Sequence, residues 1–311
     1  MIAQIITFVA TLATAVMVVR ARHAVRHTTL TTTWVWALIA AASWCVAAAA
    51  SLFLAPAASA VGQLWCVAAV MTLCPWIAVL GARRPTIRVW NWFVVVPLVA
   101  VLLWPVALCW MPRGPDRLIL ETPHLVGFGL VLVMGTGNYL GTRLTWPAIM
   151  TVLAEIILIA SLDTSQVARG TAARFAAVAA CLLFTATFSA IRMRREHDDK
   201  SSAWDILWRD FRDSYGIVWA NRIAERVNDE AGKGNWIVRL QPQGFVSTSL
   251  RQTADVSSDA AQIDHTLRWL LRRFVENEWI NSRLRTHAAP GLNEGGSLAG
   301  KDSMDAASTL S

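Results

Sequence analysis

Charge is what this sequence has least of. Only 16% of its 311 residues are Asp, Glu, Lys or Arg, against about a quarter in ordinary soluble domains. Lysine is absent from residues 1–191, where eleven arginines meet four acids, Asp116, Glu121, Glu155 and Asp163. The whole net charge of +7 therefore lies in that half, and residues 192–311 balance at seventeen of each sign. A balanced polar half has no basic excess to neutralise phosphates, so no nucleic-acid partner is expected. The sequence also lacks a CxxC pair, a P-loop, a GxGxxG and a GxSxG. No cofactor and no metal are expected, and the absence of paired catalytic groups leans against an enzyme. The five cysteines all fall in apolar stretches and read as small packing residues.

What is present is apolar sequence in long blocks. Hydrophobic residues make up 55% of the chain. Seven blocks approach the roughly 20 residues that cross a hydrocarbon core, at about 1–19, 34–55, 61–81, 89–111, 124–141, 146–162 and 171–191. The expected fold is an all-α polytopic membrane bundle. No basic residue precedes the first block, so it reads as a retained helix rather than a cleaved signal peptide.

Arginine sets the orientation. The loops after blocks one, three and five, together with the start of the tail, hold ten arginines, and the alternate loops hold four. Basic residues favour the cytoplasmic side, so the N-terminus is expected outside and the C-terminus inside a cell (inner or cytoplasmic) membrane. Proline is expected to kink the third block at Pro75 and the fourth at Pro97 and Pro105. Gly137 and Gly141 form a GxxxG whose reading is close packing within the bundle.

The tail changes period. After a charged linker at 192–203, Trp204, Leu207, Trp208, Phe211, Tyr215, Val218, Trp219 and Ile223 recur every three or four residues, which predicts an amphipathic helix. Alternation at Trp236, Val238 and Leu240, with Pro242 and Gly244 beyond, predicts a hairpin. A second helix is expected over about 259–285. The result is a small cytosolic α-β-β-α domain at 204–287, followed by a disordered stretch at 288–311. His265 is followed by Thr-Leu-Arg-Trp rather than a phospho-acceptor pattern, which excludes a histidine kinase.

The polar residues that are expensive in lipid give the candidate sites. Glu155 lies mid-span in the sixth block, with Thr151 on its face at i−4 and Thr185 available on the seventh. Thr136 and Asn138 mark the inner end of the fifth. These five form one candidate intramembrane site, with Glu155 as a weak catalytic candidate. Trp204, Trp208, Trp269 and Trp279 form a candidate surface for a cytosolic protein partner. Arg268, Arg272 and Arg273 beside Trp269 are candidates for contact with anionic lipid. His23 and His27 are spaced like ligands on a helix, but a basic loop explains them better.

In topology, though in no motif, the layout resembles bacterial seven-span sensor modules. Two functions follow. One is a non-enzymatic anchor or sensor presenting the tail domain to a partner; the other is a transporter or membrane-embedded enzyme working through Glu155.

Overall fold

The computed structural model describes residues 1–53, 58–115, 117–163, 169–193, 202–247 and 260–288. The expected linker and the expected disordered stretch fall outside them, apart from a few end residues.

Helices dominate, and five of them are long and apolar enough to cross a membrane. They are α1 (Ile2–Arg20), α2 (Thr31–Phe53), α3 (Ala58–Leu80), α7 (Thr145–Asp163) and α8 (Arg169–Met193). Two shorter apolar helices lie among them, α4 (Ile87–Leu102) and α6 (Thr122–Gly137). The fourth block is not one uninterrupted helix. A π-turn runs across Asn91–Val95, and a short α5 (Trp104–Cys109) starts after a break at Leu103. The prolines account for this. Pro97 would crowd the carbonyl four residues back, inside the π-turn, and Pro105 cannot donate to residue 101.

Helix α3 is the hub, touching α2, α4, α6 and α7, while α1 bridges α2 and α8. Small residues allow close approach: Ala47 and Ala48 on α2 and Ala68 and Ala69 on α3 are fully buried. Helix α1 is inverted relative to a soluble helix. Ile5, Val9, Leu12 and Val16 point outward, and Thr7, Thr11 and Thr14 point inward. Each inward hydroxyl donates to a carbonyl three or four residues back, at 2.8, 3.0 and 2.9 Å, so none is buried unpaired.

The GxxxG does not behave as the spacing suggested. A Cβ at Gly137 or Gly141 would meet nothing within 4 Å. The close approach is two residues earlier, at Gly135, where a Cβ would run into the Trp76 ring. Gly137 is the last residue of α6 and Gly141 lies in the following loop, so neither has a facing helix.

The tail is built on α9 (Ala203–Lys233), whose first turn is capped by Ser202 accepting from the Asp205 amide. Strands β1 (Val238–Gln241) and β2 (Gly244–Ser247) pair antiparallel, with Val238 opposite Ser247 and Gln241 opposite Gly244. Both ends of helix α9 hold the hairpin beside its turn, at the paired residues Leu240 and Phe245. Asn228 exchanges two bonds with the Leu240 backbone, at 2.8 and 3.0 Å, and the Asp205 carboxylate accepts from the Phe245 amide at 2.7 Å. The helix expected over 259–285 is two helices, α10 (Ala260–Leu271) and α11 (Asn277–Ala288), with Arg272–Glu276 between them. The tail order is therefore helix, hairpin and two helices.

Candidate functional site

The break at Arg272–Glu276 is where the tail meets the bundle. Three separate bundle loops reach the tail at one end: Ala21–Leu30 before α2, Gly81–Thr86 before α4, and Asn138–Leu144 before α7. Backbone bonds join them. The Thr29 amide donates to the Phe274 carbonyl at 2.8 Å, the Glu276 amide to His27 at 2.8 Å, the Arg84 amide to Arg273 at 2.9 Å and the Ile217 amide to Asn138 at 2.8 Å. Thr28 and Val275 form an antiparallel bridge.

Asn138 is held to the tail through both polar atoms of its side-chain amide. Its Nδ2 donates to the Tyr215 carbonyl at 3.3 Å, and its Oδ1 accepts from the Val218 amide at 3.1 Å. Between those residues stands Gly216, at φ +79° and ψ 175°, which interrupts the helical geometry of α9. A Cβ there would lie 2.2 Å from the Asn138 amide nitrogen. The opened backbone of α9 thus offers the groups that Asn138 binds, and only glycine leaves room for it.

The seam is also apolar. Leu30 and Ala82 from the bundle loops and Val79 at the end of α3 are buried in one cluster with Leu207, Phe211, Tyr215, Trp219, Leu271 and Phe274. Phe274 meets the rings of Phe211, Tyr215 and Trp219 edge-on at 5.4, 5.3 and 5.0 Å. The polar tips face partners. The Tyr215 hydroxyl donates to the Phe274 carbonyl at 2.7 Å, Thr29 donates to the Ala82 carbonyl at 2.6 Å, and the Trp219 indole donates to the Val79 carbonyl at 3.3 Å. Burial pushes the Tyr215 hydroxyl up to about 12, so it stays a donor throughout the physiological range.

Ion pairs edge the seam. Glu276 accepts from His27 and from Arg84, both at 2.9 Å, and these two partners hold its carboxyl below the ordinary value. Asp213 faces Arg143 and Arg212 at 3.8 and 3.4 Å. Burial pushes its carboxyl up, and the two guanidinium groups oppose that rise. His27, Glu276 and Glu278 each bring one ligand atom within 4.8 Å of the others. Both Glu276 oxygens are already engaged, which does not suit a cation. His23 lies in the 3₁₀ turn Ala21–Val25 and His27 beyond it at φ +60°, so the two do not share a helix face.

Glu155 is fully buried on α7, beside Thr72 and Cys66 of α3. Neither of its oxygens has a hydrogen-bond partner, and no ion pair among the described residues includes it. Thr72 itself accepts from the Trp44 indole at 2.8 Å and donates to the Ala68 carbonyl at 2.9 Å. None of the polar groups expected around Glu155 bonds to it. Thr151 donates to Pro147, Thr185 to Cys181 and Thr136 to Leu132, each to a carbonyl of its own helix, and Asn138 belongs to the seam. Ser and Thr hydroxyls on helices satisfy themselves on the preceding turn. Glu155 therefore shares no hydrogen bond with the other four residues.

The tryptophan surface also shrinks. Trp208 is 1% exposed and donates to the Gln241 carbonyl at 2.9 Å, so it is a core residue. Trp279 is buried under the Arg283 guanidinium, which lies 3.7 Å from its ring centroid. Trp204 packs against the tail core. Trp269, at 46% exposure, presents its ring outward.

Sequence reasoning missed the seam. Its one visible signal was Asn138 and its polar neighbours at the end of α6. Gly216 gave none, because the apolar period runs through it unbroken. The chain matches no family model, no curated protein and no solved structure.

Proposed function

We propose that this chain is a membrane anchor or sensor. Seven crossings, five long and two short, would put the N-terminus outside and the tail domain at the cytoplasmic face. The loops after blocks one, three and five, which carry more arginine together than the alternate loops, share one end of the bundle with the tail, which supports that orientation. The observation that carries the functional reading is the seam itself. The tail is joined by backbone bonds and a shared core to three loops at the ends of different helices. A rearrangement of the bundle would reach the tail directly, and a partner of the tail would be held at the membrane.

A second reading, a transporter or membrane-embedded enzyme, draws on one observation: the buried Glu155 carboxyl with neither oxygen bonded. In-cell crosslinking of the full chain separates the two, using a photoreactive residue at Trp269 or Val246, both exposed on the tail. A specific cytosolic protein captured at these positions, and captured equally by Glu155→Gln, supports the anchor or sensor. Solute flux in vesicles that Glu155→Gln abolishes, without protein capture, overturns it.

A further inference from the structure

The docked tail creates a feature that neither half has alone. Arg83 and Arg84 of the loop before α4 face Arg272 and Arg273 of the turn between α10 and α11. The Arg84 amide bond to the Arg273 carbonyl holds the two pairs together. With Pro85 and Thr86 they line a cleft of about 580 Å³. No carboxylate lines it. The nearby acid is Glu276, whose oxygens are already taken by Arg84 and His27. Among the described residues no ion pair includes Arg83, Arg272 or Arg273. Three of the four arginines that line the cleft thus have no ion-pair partner among the described residues, and the fourth, Arg84, is shared with Glu276. This basic lining makes the cleft a candidate anion site, and the planar forks of arginine suit phosphate oxygens.

The surroundings specify which anion. The cleft opens beside the first turn of α4, whose Val89, Trp92 and Phe93 are exposed, Phe93 at 77%. On the tail, the Arg272 guanidinium lies 5.6 Å from the ring centroid of the exposed Trp269. Basic residues, an outward tryptophan and an exposed apolar helix face meet as they do where a lipid headgroup passes into its acyl chains.

We infer that Arg83, Arg84, Arg272 and Arg273 bind the phosphate headgroup of an anionic lipid, with its chains along α4. The inference rests on the membrane-spanning reading but not on the tail having a protein partner. Because two arginines come from each side of the seam, the lipid binds the docked tail and not the released one. Binding and docking therefore strengthen each other by the same factor.

The test uses the full-length protein in neutral detergent. Intact-complex mass spectrometry reads bound lipid, and thermal unfolding reads docking. The probes are phosphatidylglycerol, phosphatidylcholine and inorganic phosphate. One phosphatidylglycerol is expected to be retained, raising the unfolding temperature and weakening with salt. Each arginine removed is expected to weaken binding about fivefold, so Arg83→Gln with Arg272→Gln should lose ~25-fold. Arg226→Gln, which removes an exposed charge on α9 away from the cleft, should lose none. Equal retention of phosphatidylcholine, or no loss in the double variant, overturns the inference. Protection by inorganic phosphate without any by phosphatidylglycerol also overturns the lipid assignment and leaves a soluble phosphate as the ligand. If the double variant does not fold, the lipid selectivity and salt dependence of the unaltered protein decide. None of these outcomes alters the capture experiment that tests the tail as an interaction module.

Discussion

Helix α1 and helix α9 obey opposite rules within one chain. Helix α1 turns Ile5, Val9 and Leu12 outward and buries three threonines; α9 buries Leu207, Phe211 and Tyr215 and exposes Arg222, Glu225, Arg226, Asp229 and Glu230. The first pattern suits surroundings as apolar as a leucine side chain, where inward polarity costs little if each hydroxyl bonds its own backbone. The second suits water. The difference is the one expected of a chain fitted to two solvents. The seam is where the rules meet, because Leu30, Val79 and Ala82 belong to the bundle by sequence and to the tail by burial.

The strongest way to break that continuity is Gly216→Ala. Alanine would have to adopt φ +79° and place its Cβ 2.2 Å from Asn138. The expected cost is about 3 kcal/mol or more, falling on docking rather than on the bundle. Hydrogen exchange should accelerate at 137–144 and 214–219 while α2 and α3 stay protected. Uniform protection would show that the two halves are not joined there.

Asn138→Ala tests the same joint from the other side. It leaves the Tyr215 carbonyl and the Val218 amide without the bonds they accept and donate at 3.3 and 3.1 Å. The expected loss is about 1–3 kcal/mol, again read as seam exchange. A loss confined to the bundle would assign Asn138 to α6 alone.

Within the bundle, Thr72→Val leaves the Trp44 indole without its acceptor and should cost about 1–2 kcal/mol in thermal unfolding, with seam exchange unchanged. Glu155→Gln keeps the size of a side chain that has no partner and should leave the amount of folded protein unchanged. Loss of folded protein in that variant would make the carboxyl a structural requirement.

The smallest effect is in pH. Glu276 lies below its ordinary value of 4.5, so its contribution is complete above that value and is lost as the pH falls through the lower folded one. Asp213 has the opposite sign. Its raised pKa means that its unfavourable burial grows as the pH rises through that raised value. Glu276→Gln should therefore flatten the acid limb of the stability profile, by no more than about 1 kcal/mol because the pair is exposed. Unfolding of both proteins between roughly pH 3 and 6 checks this; parallel profiles would show that the ion pair adds nothing to docking.

Much of the fold was legible because it is local. The apolar blocks, the hairpin signalled by Trp236, Val238, Leu240 and Pro242, and the amphipathic face of α9 follow from spacing within about 20 residues. The seam was not legible, because Thr29 and Phe274, or Asn138 and Ile217, are far apart in the chain and nothing in their spacing pairs them. The second tail helix was read through its break because Leu270, Leu271, Phe274 and Leu284 preserve an apolar period across it. Four tryptophans were assigned to a surface where three are packed, because composition records how many rings there are and not which way they face.

If the bundle spans a membrane as proposed, the seam would make the tail a late inspector of it. It follows the bundle in sequence, so synthesis completes it after the three loops it must grip. On the proposed seven-span topology, those loops lie together only when each intervening pair of helices has crossed and returned. A chain that skipped one crossing would leave a loop on the opposite side and find no complete surface for Phe274, Asn138 and Arg84 to share. The exposed core residues of an undocked tail would then mark that molecule as misassembled.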